Sequence, residues 1–380
     1  MKKVALIRNS YPYDVGGAEI FPINLAKILI SKGYMPIVLS SNKKTLQMAG
    51  DASLETAHSP WWSFQNFSGP LVLIFPLYIL WMLILTGWYI VFIKKHHIDV
   101  VHPQSRDDFI AATLAAKLLR KTALWSDHAD LKYVYLNHTT WYKNPVGKLV
   151  FAVSKLADNV AIESYSEKSL VEASLGRALP KNYSVMHIGV VDSYRPGTKR
   201  KSDDVILVST SRLVTAKGIG ELIEAMKLIK NKRATLKICG DGPDAKHFRT
   251  LAKDINNIEF MGHISNVVGI LQSADILVHP TYHEGFGLSL VEAEMCGLPI
   301  IASNVGSIPE IVSDNISGIL VPPKDVIALA SAIERLTSDH EVRKTMGKAG
   351  RRIFLENFQF DQIVKEHFIP LYNDTYEDTR

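Results

Sequence analysis

Ile276-Leu277-Val278-His279-Pro280-Thr281-Tyr282-His283-Glu284-Gly285-Phe286-Gly287-Leu288-Ser289-Leu290-Val291-Glu292-Ala293 changes character twice within one short stretch. It opens on an apolar, β-branched run of the kind buried on both faces of a parallel sheet. Gly285-Phe286-Gly287 is a tight turn, and a helical pattern follows. Strand, glycine turn and helix in that order are a unit of a doubly wound α/β sheet. Outward from it, Val205-Ile206-Leu207-Val208, Leu236-Lys237-Ile238, Ile258-Glu259-Phe260 and Pro299-Ile300-Ile301 repeat the strand pattern. The same rhythm runs through the first half of the chain in Val4-Ala5-Leu6-Ile7, Ile37-Val38-Leu39, Asp99-Val100-Val101-His102 and Ala123-Leu124-Trp125. Two sheets of one kind are therefore expected, and a length of 380 residues is enough for two cores.

A first Rossmann-like domain is expected over residues 1–190 and a second over 204–358. Between them, 191–203 is polar and basic around Pro196-Gly197, without apolar periodicity, and reads as a linker. Two such domains facing each other would bring the carboxyl ends of their strands to a shared cleft, where open parallel sheets bind ligands.

The net charge of +5 is modest, and the basic residues are scattered. That disfavours nucleic acid and fits anionic ligands or an anionic membrane surface. The two cysteines, Cys239 and Cys296, lack the spacing of a zinc site or a disulfide framework. Only Val4 to Ile7 is apolar near the start, too short for a signal peptide, so a cytoplasmic protein is expected.

Residues 71–93 contain no charge and would be about 35 Å long as a helix, enough to cross a bilayer. Strands on both sides of this stretch belong to one sheet, however, and a sheet cannot assemble from opposite sides of a membrane. The segment should lie on a membrane surface, dip into it, or be buried. Trp61, Trp62, Trp81 and Trp88 with Lys94-Lys95-His96-His97 suit an interfacial, peripheral or monotopic anchor. The alternative is a core helix that is apolar all round.

Three further segments bear on chemistry. Gly16-Gly17 follow the first strand, where a glycine turn and a helix start can approach a phosphate. Arg212 and Lys217, on a loop ending in Gly218, can reach one diphosphate from two sides and stabilise it as a leaving group. Glu284 precedes the Gly-Phe-Gly turn, Glu292 is read into the first turn of the following helix, and the amides of Gly285, Phe286, Gly287, Leu288 and Ser289 form an anion site.

Glu284 and Glu292, separated by seven residues, carry a resemblance to the large GT-B family of retaining glycosyltransferases, family 4-like and group 1, which includes sucrose synthase-like enzymes and mannosyltransferases. Gly16-Gly17, Arg212, Lys217-Gly218, Gly240-Asp241-Gly242-Pro243, Gly297-Leu298-Pro299 and Gly306-Ser307-Ile308-Pro309-Glu310 extend it over nearly the whole chain. The resemblance implies a nucleotide diphosphate sugar as donor substrate and no obligatory metal or other cofactor. Arg212 and Lys217 would hold the diphosphate, Glu292 the ribose, and Glu284 with the amides after it the transferred sugar. Gly240 and the strand end Phe260-Met261-Gly262 would line the nucleotide site, and His128 would meet the sugar. Asp127 and Asp130 beside His128 do not have the spacing of a metal-ligand set. The last helical pattern, within 359–380, would return to the first domain. With the apolar segment, the resemblance points to a lipid-linked glycan acceptor and cell-surface polysaccharide or glycolipid synthesis. A sugar-nucleotide epimerase and a non-catalytic, membrane-bound scaffold are the alternatives. A nicotinamide oxidoreductase is disfavoured by the missing dinucleotide fingerprint.

Overall fold

Val4, Ala5, Leu6 and Ile7 are wholly buried, as a strand covered on both faces requires. The computed structural model describes residues 1–10, 17–61, 75–128, 145–194, 204–231, 233–264 and 267–373. It divides into two compact units, Met1–Met186 with Ile363–Arg380, and His187–Gln362.

Among the described residues the first unit has a seven-stranded sheet of order β3-β2-β1-β4-β5-β6-β7. Its strands are β1 Lys3–Ile7, β2 Met35–Ser40, β3 Glu55–His58, β4 Val100–Pro103, β5 Thr122–Ser126, β6 Asn159–Ile162 and β7 Tyr183–Val185. All pairings between them are parallel. The connecting helices are α1 Gly17–Ser31, α2 Lys43–Asp51, α3 Phe75–His96, α4 Arg106–Leu118, α5 Pro145–Ser154 and α6 Tyr165–Leu175.

Helix α3 holds the apolar segment from Phe75 on, while residues 71–74 and Trp62 lie outside the described residues. It connects β3 to β4, and β4 pairs with β1, so it returns the chain to the sheet it left. Tyr78, Met82, Leu85, Tyr89, Phe92 and Ile93 are buried in the core. Trp88 lies against Trp61 at 4.4 Å and Phe92 at 5.3 Å between ring centroids. Two phenols fix α3 to the first turn of α4: Tyr78 donates to Asp107 Oδ1 at 2.7 Å and Tyr89 to Asp108 Oδ1 at 2.6 Å. Leu77, Leu80, Leu83, Ile84 and Val91 are nonetheless 54% to 64% exposed, with Lys94 and Lys95 in the last turn. Spacings of three and four residues place them along one stripe. The segment is thus core on one face and bare hydrocarbon on the other.

Residues 363–373 pack with the first unit. His102 Nδ1 and the Tyr372 hydroxyl are 2.6 Å apart, Tyr34 donates to Asn373 Oδ1 at 2.6 Å, and Lys2 Nζ donates to the Asn373 carbonyl at 3.0 Å. Burial holds His102 down at about 3, so the ring is neutral.

The second unit has a six-stranded sheet of order β10-β9-β8-β11-β12-β13, also parallel. These are β8 Val205–Thr210, β9 Ala234–Cys239, β10 Ile258–Gly262, β11 Ile276–His279, β12 Ile300–Ser303 and β13 Gly318–Val321. The helices that matter for the site are α7 Ile219–Leu228, α8 Ala245–Leu251, α9 Val267–Ser273 and α10 Leu288–Met295. Cys239 and Cys296 are buried free thiols.

The units divide at Met186, whereas the sequence pattern places the first domain boundary at 190 and the linker from 191. Val190 donates to the Phe358 carbonyl and accepts from the Phe360 amide, and Arg351 grips Asp192 at 2.6 Å. These bonds tie Val190, just before the expected linker, and Asp192, within it, to the rest of the second unit. Residues 195–203, most of the expected linker, lie outside the described residues.

Candidate active site

At the carboxyl end of β11, His279 and Glu284 come together around a tight loop, and β8 brings in Lys217. Lys217 Nζ donates to Glu284 Oε2 at 2.7 Å, and His279 Nε2 lies 2.7 Å from the same oxygen. The backbone locks the two loops in this register: the Tyr282 amide and the Thr281 hydroxyl both donate to the Ala216 carbonyl, at 2.9 and 3.2 Å. Burial pushes the Glu284 carboxyl up, but the His279 hydrogen bond and charge and the Lys217 ammonium outweigh it, holding Glu284 at about 2. Glu284 is therefore an anion at any physiological pH. An ammonium has three donors, and one bond to Glu284 leaves Lys217 able to meet a second anion.

After Glu284 the chain turns through Gly285, Phe286 and Gly287. Gly287 takes a left-handed φ of 99° at the cap of α10, so the helix starts at Leu288. Phe286 is buried against His187 and Phe358, with centroids 5.7 and 6.3 Å away, and Ser307 donates to its carbonyl at 2.7 Å. These contacts fix the turn, while Leu288 and Ser289 are half-buried at the helix start.

Because α10 begins at Leu288, Glu292 falls in its second turn and not, as expected from the sequence, in its first. A capping role at the helix dipole is thereby removed. Burial pushes the Glu292 carboxyl from 4.5 up to about 7. The folded chain holds that proton more tightly than the unfolded chain, so the stabilisation is complete below about pH 4.5 and is lost as the pH rises through 7. Glu292→Gln, which cannot ionise, is expected to match the wild type in urea unfolding near pH 4.5. At pH 8 it should be more stable by about 2 kcal/mol, less than the full shift because the side chain keeps some contact with water.

Arg212 is exposed and takes no part in the Lys217–Glu284–His279 cluster. Its loop is built on backbone contacts with the Gly240 turn: Ser211 donates to the Cys239 carbonyl and Leu213 to the Asp241 carbonyl, at 3.1 and 2.9 Å. Gly240 has φ 143°, and a Cβ there would lie 1.9 Å from the Ser211 carbonyl oxygen. Gly240 donates in turn to the Gly262 carbonyl at 2.7 Å, linking this turn to the end of β10. There Phe260 is half-buried under Arg249 at 4.8 Å, and Met261 is 38% exposed.

In the first unit His128 follows β5. Its Nδ1 lies 3.4 Å from Glu163 Oε1, and Phe21 of α1 meets the ring edge-on at 4.7 Å. Gly17 opens α1, while Gly16 and Asp130 lie outside the described residues. No group of three or more His, Cys, Asp or Glu side chains that could hold a metal ion occurs among the described residues. The sequence pattern did not single out His279, Glu163 or His102. A histidine closing a buried strand just ahead of a candidate acid was the available signal for His279.

The C-terminal half, residues 190–353, matches the family model described as glycosyl transferases group 1. Residues 15–193 match that of glycosyltransferase family 4. The chain is 30% identical over 179 residues to N-acetyl-alpha-D-glucosaminyl L-malate synthase of Bacillus anthracis, covering 46% of this chain and 47% of that protein. It is 30% identical over 182 residues to the capsular polysaccharide biosynthesis glycosyltransferase CapM of Staphylococcus aureus, again covering 46% and 47%. The chain thus spans about half the length of the curated relatives it matches. Among solved structures, HepE of Anabaena in complex with UDP and glucose superimposes with a TM-score of 0.73 at 18% identity, covering 98% of this chain and all of that one. Two parallel sheets in two units, with one family model on each half, place the chain in the GT-B glycosyltransferases of group 1, family 4-like.

Proposed function

We propose that this protein moves a sugar from a nucleotide diphosphate donor onto a lipid-linked glycan acceptor, with retention of anomeric configuration, at the cytoplasmic face of a membrane. The observation that carries the reading is the Lys217–Glu284–His279 cluster set beside the Gly-Phe-Gly turn at the head of α10. It joins a cation suited to a diphosphate to a fixed anion suited to sugar hydroxyls. HepE, a protein of the same fold, is a complex with UDP and glucose.

In this scheme Lys217 and Arg212 take up the charge of the departing diphosphate, Glu284 orients the sugar and Glu292 the ribose. His128 meets the sugar from the first domain. The leaving phosphate itself helps deprotonate the acceptor on the same face, which preserves configuration without a covalent intermediate. The cations and the α10 amides supply the positive charge, so the reaction needs no metal. An epimerase would need an elimination base, and a scaffold would not need the ion-paired cluster. A thermal-shift panel of UDP, GDP and ADP with their sugar conjugates tests the donor site, because a ligand of the native state raises its melting temperature. One nucleotide series should shift melting selectively, equally in magnesium and in EDTA, and the shift should vanish in Lys217→Ala Glu292→Ala. No shift with any of them would refute the site.

The exposed stripe of α3 supports the membrane reading, and CapM is a capsular polysaccharide enzyme. Apolar side chains ending in Lys94 and Lys95 suit an anionic bilayer surface. The wild type should pellet with vesicles containing anionic phospholipid, and Leu80→Glu Leu83→Glu Ile84→Glu should stay in the supernatant. Equal partition of the two would refute the anchor.

A further inference from the structure

Strand register sets a buried carboxyl beside His128 in the first unit. β5 and β6 pair with Trp125 opposite Val160 and Ser126 opposite Ala161, and the Asp127 amide continues the ladder by donating to the Ala161 carbonyl. Two residues beyond that last pair, the register sets His128 against Glu163. Their side chains are 7% and 8% exposed, with Nδ1 and Oε1 3.4 Å apart. The ring is bounded on the α1 side by Phe21. A carboxyl this deeply buried is held in place by the groups that hydrogen-bond to it, so the pairing constrains both partners.

We propose that Glu163 is a positioning residue for His128: its carboxylate accepts a hydrogen bond from Nδ1–H and so fixes the imidazole in the tautomer whose Nε2 accepts a hydrogen bond from a hydroxyl of the transferred sugar. The inference rests on the reading that His128 meets the sugar. Which ring nitrogen of a histidine is protonated follows from the hydrogen bond made at the other. A base steadied by a third group is a general arrangement in active sites. Glu163 touches no substrate in this scheme and acts only through the ring.

Two measurements on the full-length chain test it. In protein labelled with 15N-histidine, the His128 signals are those lost in His128→Ala. They should show the proton on Nδ1 in the wild type, and Glu163→Leu should move it to Nε2. An unchanged tautomer overturns the proposal. The second measurement follows release of nucleoside diphosphate from UDP-glucose, UDP-galactose, UDP-N-acetylglucosamine, GDP-mannose and ADP-glucose, taking the donor released fastest. Glu163→Gln should lower kcat about tenfold, the scale of one hydrogen bond to a charged group, with donor KM within about twofold. In a His128→Ala background the same change should alter kcat by less than about twofold, because the partner is gone. Equal effects in both backgrounds would mean that Glu163 acts independently of the ring, and would refute the proposal alone. If His128→Ala itself keeps the wild-type kcat, the reading of His128 fails first and the proposal falls with it.

Discussion

Lys217→Ala is expected to lower turnover by about 10²- to 10³-fold, the cost of removing one preorganised group that stabilises transition-state charge. Negative charge grows on the diphosphate as the bond to the sugar breaks, so a cation fixed beside it favours the transition state over the bound donor. Lys217 is fixed: one of its donors is spent on Glu284 at 2.7 Å, and its loop is pinned to that of Glu284 through the Ala216 carbonyl. The substitution also withdraws one of the groups that hold Glu284 ionised, although His279 remains at 2.7 Å to keep the carboxylate in place. The fold should therefore survive, as circular dichroism and melting would record, and the loss should fall on kcat more than on donor affinity. Lys217→Arg keeps the charge but replaces a compact ammonium by a planar fork, and should recover only part of the rate. Wild-type turnover in Lys217→Ala would remove the diphosphate role from this loop.

Much of the fold was legible because the central strands are covered on both faces and read as unbroken apolar runs. Val4 to Ile7 and Val205 to Val208 are of this kind. The strands that escaped notice are short, polar or at an edge. β3 is Glu-Thr-Ala-His with three of its four residues exposed, and β7 is only Tyr-Ser-Val. Neither buries enough hydrocarbon to leave a pattern. Helix α3 failed differently. Its apolar character was plain, but a helix apolar all round has no sequence signature for which face meets the core. Only packing on α4 shows that Tyr78 and Tyr89 point inward while Leu80 and Leu83 do not.

The site divides along the same line. Lys217 and Glu284 are conspicuous as residues, yet their bond depends on how the loops after β8 and β11 close on each other, which no local pattern encodes. His279 looked like the last residue of a strand. Its Nε2 reaches Glu284 because the loop between them folds back within five residues. Glu292 was placed one turn too early because the left-handed Gly287, not the acid spacing, decides where α10 begins. The partnership of His128 and Glu163 needs the register of β5 on β6, a long-range fact.

Gly218→Ala is expected to be among the most damaging single methyls in the second unit, since it strikes the joint on which Lys217 depends. Gly218 has φ 69°, and a Cβ there would lie 1.9 Å from the Pro280 carbonyl oxygen and 2.8 Å from its carbon. Both neighbours are backbone, so no rotamer change relieves the clash, and the two loops must separate. Parting them breaks the bonds from Thr281 and Tyr282 to the Ala216 carbonyl and draws Lys217 from Glu284. A stability loss of roughly 2–4 kcal/mol is expected, combining left-handed strain with the clash. The fall in turnover should be at least as large as in Lys217→Ala, because the ammonium is misplaced and Glu284 loses its partner. Gly262→Ala separates the two causes: its φ is 70°, but nothing lies within 4 Å of the added carbon. That variant should lose only about 1–2 kcal/mol, the cost of the backbone conformation alone. Urea unfolding of the two variants side by side measures the difference. Equal losses would mean that the loops are not in contact at Gly218, and that the placing of Lys217 against Glu284 must come from elsewhere.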